Sequence, residues 1–452
     1  MVNVMLVSDR ATGDTGTRRW SVAYSPLGCV ALLAAAFATR IGVRIAFGQE
    51  YFWTNGYLFY YNIAVNVVDG KGFCLQNACA RYPPVYPLFL TISVLAGRDY
   101  WLVVVPQALL GAATTWCAYL IGREMFDRRT GMLACAITAL YPYYVMHDTA
   151  LQETGMVTFC TAFAVWLLLR ARRLNRYFDW FVAGIALGTI PLVRASVMPA
   201  IAVGLLWCVV WGASGGMSER LRKCSILAVA AMLTIGPWLY QTYRVTGVPV
   251  VSSETGRALW IGNNPDTFSH YPATSIDRST NVAFANLSAA DRAELTGRAH
   301  DEIATSSWYA HRALEFMRAN PGLVVKGAFR KVQAGFSWGL NPHRELLAEA
   351  AYSIGYAPIA LLGILGMVLA RKRPGTILIA LLFLAFIVVT AIFWAHTSHR
   401  SYLDVYWIVF AASIIERIWA HLRSFTDPPP IGQTPHLPDQ ETMLSSVARS
   451  NR

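Results

Sequence analysis

The sequence predicts an all-α polytopic membrane protein of about ten transmembrane helices. Interfacial helices are expected in its first outer loop, and a mixed extracytoplasmic segment in its second half. Three observations predict this class. Of the 452 residues, 55% are hydrophobic and only 14% are charged, against roughly 25% charged in soluble domains. The apolar residues come in uncharged blocks such as 102–122, 154–169, 225–238 and 376–395, close to the roughly 17–25 residues that a helix needs to cross a bilayer. The positive charges sit in short clusters between these blocks. That placement explains the formal charge of +12 by the positive-inside rule and argues against a nucleic-acid partner.

The basic clusters orient the chain. They are Arg18/Arg19, Arg123/Arg128/Arg129, Arg170/Arg172/Arg173/Arg176, Arg220/Arg222/Lys223 and Arg371/Lys372/Arg373. If all five face the cytoplasm, an even number of crossings separates neighbours. The N-terminal segment, 1–26, is polar and ends in Arg18 and Arg19. The apolar run after it exceeds a signal-peptide core and is retained as the first span, near 27–47. Parity then makes the stretch 84–97, short and opened by Pro83-Pro84, an interfacial or re-entrant helix, and the next span lies at 102–122. Stretches 131–147 and 152–169 form a hairpin with an outer turn at 143–152. The run 178–213, broken at Pro191 and Arg194, gives two helices with an outer turn at Arg194. A span near 225–243 leads to an extracytoplasmic segment, 244–350, and three more spans follow near 352–370, 375–395 and 402–418. The sequence thus divides into 1–26, a membrane core 27–243, the segment 244–350, C-terminal spans within 351–418, and a Pro-, Ser- and Thr-rich cytoplasmic tail, 419–452, expected to be disordered. Both termini are expected in the cytoplasm and the protein in the cell (inner) membrane.

Six of the eight cysteines lie in or beside apolar blocks and read as small hydrophobes. Cys74 and Cys79 share one polar loop and can pair if that loop is outside.

Ionisable groups at the membrane edge are the candidate sites, because their burial is costly. On the outer face these are Glu50 and Asp69 after the first span, Asp148 and Glu153 in the turn of the second hairpin, Glu254 and Asp266 at the head of the long segment, and Asp404 in the last helix. The first outer loop is rich in aromatics. From Tyr57 to Val68 it suits an amphipathic helix, on which Tyr57 and Tyr61 form an interfacial belt or a binding surface. Arg81, just before Pro83-Pro84, is placed to meet an anionic headgroup or a lipid-linked phosphate, or else water.

Several segments in order resemble the C-type, polyprenyl-phosphate-dependent glycosyltransferases, the superfamily of protein O-mannosyltransferases and the lipid A aminoarabinose transferase. They are YYNIAVNVVDGKGF with RYPPVYPLF, GREMFDRRTGMLACAITALYPYYVMHDTALQET, GIALGTIPLVRAS, GPWLYQTYRVTGVPVVSSETGRALWIGNNP and SHRSYLDVYWIVFAAS, which together reach from residue 20 to about 418. The resemblance implies an inverting transferase that moves a sugar from a polyprenyl-phosphate donor to an extracytoplasmic glycolipid, polysaccharide or protein. It also implies a catalytic carboxylate in the first outer loop. The family aspartate falls on Gly56, which cannot act as a base, and Glu50 is the nearest carboxylate. The second outer-loop acid of the family falls on Glu153, with Asp148 close by.

The chemistry needs one base for the attacking hydroxyl and positive charge on the leaving phosphate. Glu50 is expected as the base, with Glu153 and Asp148 in support. Arg81, Lys71, Arg194 and Arg400 are expected to bind the donor beside Tyr57 and Tyr61. Neither C-x-x-C nor D-x-D occurs, so no metal site or cofactor is implied. His147, Asp148 and Glu153 offer ligand types, but a satisfied or solvated set accounts for them. The expected partners are therefore the lipid-linked sugar, the bilayer and the acceptor. A transporter or flippase of lipid-linked sugars, or an inactive envelope scaffold, stands as the alternative.

Overall fold

The computed structural model describes residues 26–426. Their only β contribution is an isolated bridge between Leu75 and Ala78. The segment 244–350, expected to be mixed, is helical. Its Ser-, Asp- and Asn-initiated repeats of apolar spacing suit short amphipathic helices, capped for example by Ser275, Ser288 and Asp301.

Helix α1 (Pro26–Thr54) carries the first span and bends at Gly48, whose φ of 73° and ψ of 175° break the helix. Two short interfacial helices follow, α2 (Leu58–Val68) and α3 (Val85–Leu95). The loop between them is closed by the Cys74–Cys79 disulfide. Next come α4 (Trp101–Met125), α5 (Arg128–Leu140), α6 (Pro142–His147), α7 (Thr154–Leu174), α8 (Tyr177–Val193), α9 (Pro199–Trp207, extended by a wider turn to Gly212) and α10 (Met217–Thr246). The outer segment contains α11 (Thr255–Gly262), α12 (Ile276–Ala285), α13 (Ala289–Arg298), α14 (Glu302–Ala319) and α15 (Pro321–Gly335). The chain then re-enters the bundle as α16 (Leu346–Leu369), α17 (Pro374–Ile392), the single turn α18 (Thr397–Arg400) and α19 (Asp404–Thr426).

Among the described residues, eight helices are long and apolar enough to cross a membrane. The shorter α5 packs on α4, and α8 packs between α7 and α10, in the same array. The expected span 131–147 is not continuous: Tyr141 takes an extended conformation ahead of Pro142, so α5 stops at Leu140 and α6 starts a new direction. Helix α3, at 11 residues, covers roughly 16 Å and cannot cross a 30 Å hydrocarbon core.

One end of the bundle gathers the basic turns. There Arg173 pairs with Glu124 at 2.7 Å, Lys223 donates to Asn175 at 2.8 Å and to the Ser214 carbonyl at 3.1 Å, and Arg373 bonds the Met125 carbonyl. These contacts tie together the turns 126–127, 175–176, 213–216 and 370–373, which is the end that the positive-inside rule assigns to the cytoplasm. At the opposite end lie α2, α3, α6, the Arg194 turn and the outer segment. The outer segment has its own aromatic core of Trp260, Tyr271, Trp308 and Tyr309. The expected segment 1–26 lies outside the described residues except for Pro26. So does the tail from 427; residues 419–426, expected in the tail, extend α19 instead.

Candidate active site at the outer end of the bundle

The turn between α6 and α7 is built from the inside outward. Gln107 on α4 donates to the carbonyls of Asp148 and Ala150 at 2.7 and 2.8 Å, and Tyr86 donates to the Gln107 oxygen at 3.0 Å. Asp148 is buried and accepts from Arg40 Nε at 2.8 Å. Arg40 also donates to the carbonyls of Ala36 and Ala139 at 2.8 and 3.1 Å. Gly111 makes room for this pair, since a Cβ there would meet Arg40 Nε at 2.3 Å and Asp148 Oδ2 at 2.5 Å. Asp148 therefore anchors the turn to α1, with its charge already neutralised.

Glu153, at the N-terminus of α7, is also buried. One carboxylate oxygen sits 2.9 Å from the Arg194 guanidinium. Arg194 ends α8 in an extended conformation and is held further by the Ser398 carbonyl at 2.9 Å and the Thr154 hydroxyl at 3.1 Å. The other oxygen of Glu153, Oε2, has no hydrogen-bond partner among the described residues. An unpaired buried carboxylate oxygen is costly, and such exceptions concentrate where a ligand or a proton is to be received.

Around this pair the first loop supplies an aromatic wall. The Tyr57 amide donates to the Leu151 carbonyl at 2.8 Å, which fixes the start of α2 against the α6–α7 turn. The phenol groups of Tyr57 and Tyr60 are within electrostatic reach of Glu153 and Arg194. From the other side come His396 and His399, with Asp277 of α12 and Arg344 of the segment before α16 facing Tyr57 and His396. Asp277 and Arg344 are exposed, and neither side chain makes an ion pair among the described residues. Burial pushes the imidazoles of His147 and His396 down to about 4, so both are neutral at pH 7.

The remaining residues expected from the sequence are dispersed. Glu50 is exposed beyond the Gly48 bend; its backbone carbonyl accepts from the Thr54 hydroxyl, and its side chain makes no ion pair or hydrogen bond among the described residues. Gly56 is not an open position: a Cβ there would meet Leu151 Cβ at 2.4 Å and the Phe52 carbonyl at 2.8 Å. Leu151 fills the place where the family carboxylate would project. Lys71 pairs with Asp69 on the surface at 2.8 Å. Tyr61 is buried edge-on against Trp53 and close to Arg98, not beside Glu153. Arg81 is ion-paired to Glu254 of the outer segment. Arg400 is fully buried, 3.0 Å from Asp404, 2.6 Å from the Tyr352 hydroxyl and stacked over Tyr356. Its donors join α15, α16 and α19 inside the protein. The structure therefore brings together Glu153, Arg194 and Tyr57 of the expected set. It places Asp148 behind them and the others elsewhere.

Sequence reasoning missed Arg40, Gln107, His396, Asp277 and Arg344 as parts of this region. For Arg40 the signal was present, because a cation inside the first apolar block demands a partner. Asp277 and Arg344 carried none, since their relevance comes from the folding of the outer segment onto the bundle.

Residues 81–240 match the family described as dolichyl-phosphate-mannose-protein mannosyltransferase. A protein of Bacillus subtilis (strain 168) named as a mannosyltransferase, YkcB, is 26% identical over 207 residues, covering 44% of this chain and 28% of that protein. The archaeal oligosaccharyltransferase AglB of Archaeoglobus fulgidus, in complex with an inhibitory peptide and a dolichol-phosphate, superposes over 91% of this chain with a TM-score of 0.51 and 12% identity. An apo form of an oligosaccharyltransferase from the same organism gives a TM-score of 0.54 over 90%, at 13% identity. At these identities the likeness to the archaeal structures is one of fold. This chain spans 52% of each archaeal chain, and a smaller share of the Bacillus protein. The family match and the Bacillus relative support the resemblance, read from the sequence, to C-type membrane glycosyltransferases of the protein O-mannosyltransferase superfamily, and the archaeal structures share the fold.

Proposed function

We propose that this chain is an inverting glycosyltransferase that moves a sugar from a polyprenyl-phosphate donor to a hydroxyl acceptor on the outer face of the membrane. The observation that carries this reading is the buried Glu153, with one oxygen on Arg194 and the other unpartnered, inside the family-matched stretch. The dolichol-phosphate bound by the archaeal neighbour supports a lipid-linked donor.

The parts follow from the chemistry. The acceptor oxygen attacks the anomeric carbon as the bond from that carbon to the phosphate oxygen breaks, and the proton passes to Glu153 Oε2. A single displacement inverts the anomeric centre and needs one base. Arg194 holds the carboxylate in place. Arg344, which makes no ion pair among the described residues, and Arg194 offer the positive charge that the departing phosphate gains from. Glu50 is less suited to the base role, because nothing in the fold aims it at this cluster. Leu151 at the lost family position makes a carboxylate from the second outer loop the consistent substitute.

Donor-turnover measurements in nanodiscs test this. Glu153→Gln keeps the shape of the side chain but cannot take the proton. It should leave donor binding intact and lower turnover by roughly 10²–10⁴-fold, while Glu50→Gln should remain close to wild type. Loss of turnover in Glu50→Gln with retention in Glu153→Gln would reverse the assignment.

A further inference from the structure

A second concave site lies on the water-facing side of this region, and neither the family match nor the proposed chemistry assigns it a role. It is a cleft of about 440 Å³ between the disulfide-closed hairpin of the first loop and helices α11 to α14. Glu302 fixes its floor. That carboxylate accepts from the amides of Cys79 and Ala80 at 2.9 and 3.0 Å and from the Ser253 hydroxyl at 2.6 Å, so the hairpin and the outer segment are held as one wall. Phe284 and Tyr309 supply aromatic surface, braced by Trp260 at 5.1 and 5.2 Å.

The charges of the cleft cancel. Arg81 and Arg257 both pair with Glu254, the latter at 3.1 Å, and Glu302 is spent on the wall. An anionic ligand would have to break these pairs, so a phosphate is a poor match. What remains open is polar and uncharged. Gln76 presents an exposed amide, both donor and acceptor; Asn77 adds a second, whose nitrogen is shared with His300 at 3.3 Å, and Ser306 a hydroxyl that accepts from the Gly256 amide at 3.2 Å and can still donate. Aromatic faces beside groups that both donate and accept suit a neutral chain of hydroxyl-bearing rings, and the volume accommodates about two sugar units.

The cleft also leads to the right place. Tyr82, next to Arg81, stacks on Phe59 at 4.6 Å and meets Tyr60 edge-on at 5.5 Å. Its hydroxyl is within electrostatic reach of both Glu254 in the cleft and Glu153 in the catalytic cluster. We propose that this cleft is the acceptor subsite, and that it takes a neutral glycan whose terminal hydroxyl passes Tyr82 towards Glu153. The inference rests on the transferase reading for its purpose, but not for its test.

The test is binding of free maltose and α-mannobiose to the full chain in nanodiscs, followed by saturation-transfer NMR. Millimolar binding is expected in the wild type, since few contacts are available to a disaccharide. Ala299→Trp, at an exposed position lining the cleft, fills the space and should weaken binding at least tenfold. Gln76→Gly removes one amide at a position whose φ of 56° glycine accepts, and should weaken it less. Glu153→Gln should bind the sugars as the wild type does, whatever its turnover, which separates this inference from the catalytic one. Undiminished sugar binding in Ala299→Trp overturns the proposal. So does a wild type that binds neither sugar, or one that binds inorganic phosphate or a Ser/Thr-rich peptide there in their place.

Discussion

Asp148, expected in the catalytic set, is paired with Arg40 in the structure, and the framework role we propose for it leads to a quantitative test. Its carboxylate and the Arg40 guanidinium are both buried and 2.8 Å apart. Removing one partner of a buried pair leaves an uncompensated charge and costs about 3–5 kcal/mol. Asp148→Leu should therefore lower stability by that amount, with loss of turnover only in step with loss of folded protein. Replacing both partners, Arg40→Met with Asp148→Leu, removes the stranded charge and should recover most of the loss, although the carbonyls of Ala36 and Ala139 give up their Arg40 donor, at about 1 kcal/mol apiece. Gly111 gives an independent check. Gly111→Ala drives a methyl into the pair and should cost about 1–3 kcal/mol, a penalty that falls in the double variant, where the crowded atoms are gone. The assay is thermal unfolding of purified variants in one detergent, read beside donor turnover per folded molecule. An Asp148→Leu protein that melts like the wild type but has lost its turnover would refute the framework role and return Asp148 to the chemistry.

Three further outcomes follow from particular residues. Gly56→Asp restores the family residue but not the function: its Cβ has to displace Leu151, so melting should fall by the equivalent of about 1–3 kcal/mol with no gain in turnover. His147, whose imidazole is pushed down to about 4 by burial, binds fewer protons folded than unfolded between that value and the unfolded 6.5. Its contribution, up to roughly 3 kcal/mol, is fully present above pH 6.5 and is lost as pH falls through 4. The melting temperature should decline across that window, and less steeply in His147→Phe, in which the ring stacked on Tyr143 at 4.2 Å is kept. Topology is checked by labelling introduced cysteines with an impermeant reagent in sealed cells. A cysteine at Arg344 should react and one at Arg128 should not, and labelling of Arg128→Cys would invert the orientation.

The fold was legible to the extent that solvent dictates it. In a bilayer every backbone group must bond within its own segment, so an uncharged block of sufficient length has one outcome, and the arginine clusters mark its ends. The same reasoning rejected 84–97 as a span, and the chain there forms the short α3. What it handled poorly was structure decided by single residues within apolar sequence. The break at Tyr141–Pro142 and the bend at Gly48 lie in runs whose hydropathy is continuous. The outer segment, expected to be mixed, is polar in composition, and caps such as Ser275, Ser288 and Asp301 are what mark helix starts there.

The site was legible in its residue types and not in its pairing. A list of outer-face acids contains the buried Glu153 and the exposed Glu50 alike, because sequence distance from a span says nothing about which way a side chain faces. Arginines behave in the same way. Arg81, Arg194 and Arg400 each looked like a free cation for a phosphate, yet each has found a carboxylate: Glu254, Glu153 and Asp404. These partners are 173, 41 and 4 residues away. The nearest is one turn along the same short stretch and was readable as an i,i+4 pair. The other two depend on which loops the bundle brings together. Of the three, only the Arg194 pair leaves a buried carboxylate oxygen without a partner. The Arg400 pair spends both oxygens of Asp404 on Arg400 and Tyr141, and the Arg81 pair shares Glu254 with Arg257. The difference lies in the unmet valence, since a satisfied pair holds elements together while an unsatisfied one has something left to accept. On that criterion Glu153, whose second oxygen the fold leaves unused, is the carboxylate we propose as the base.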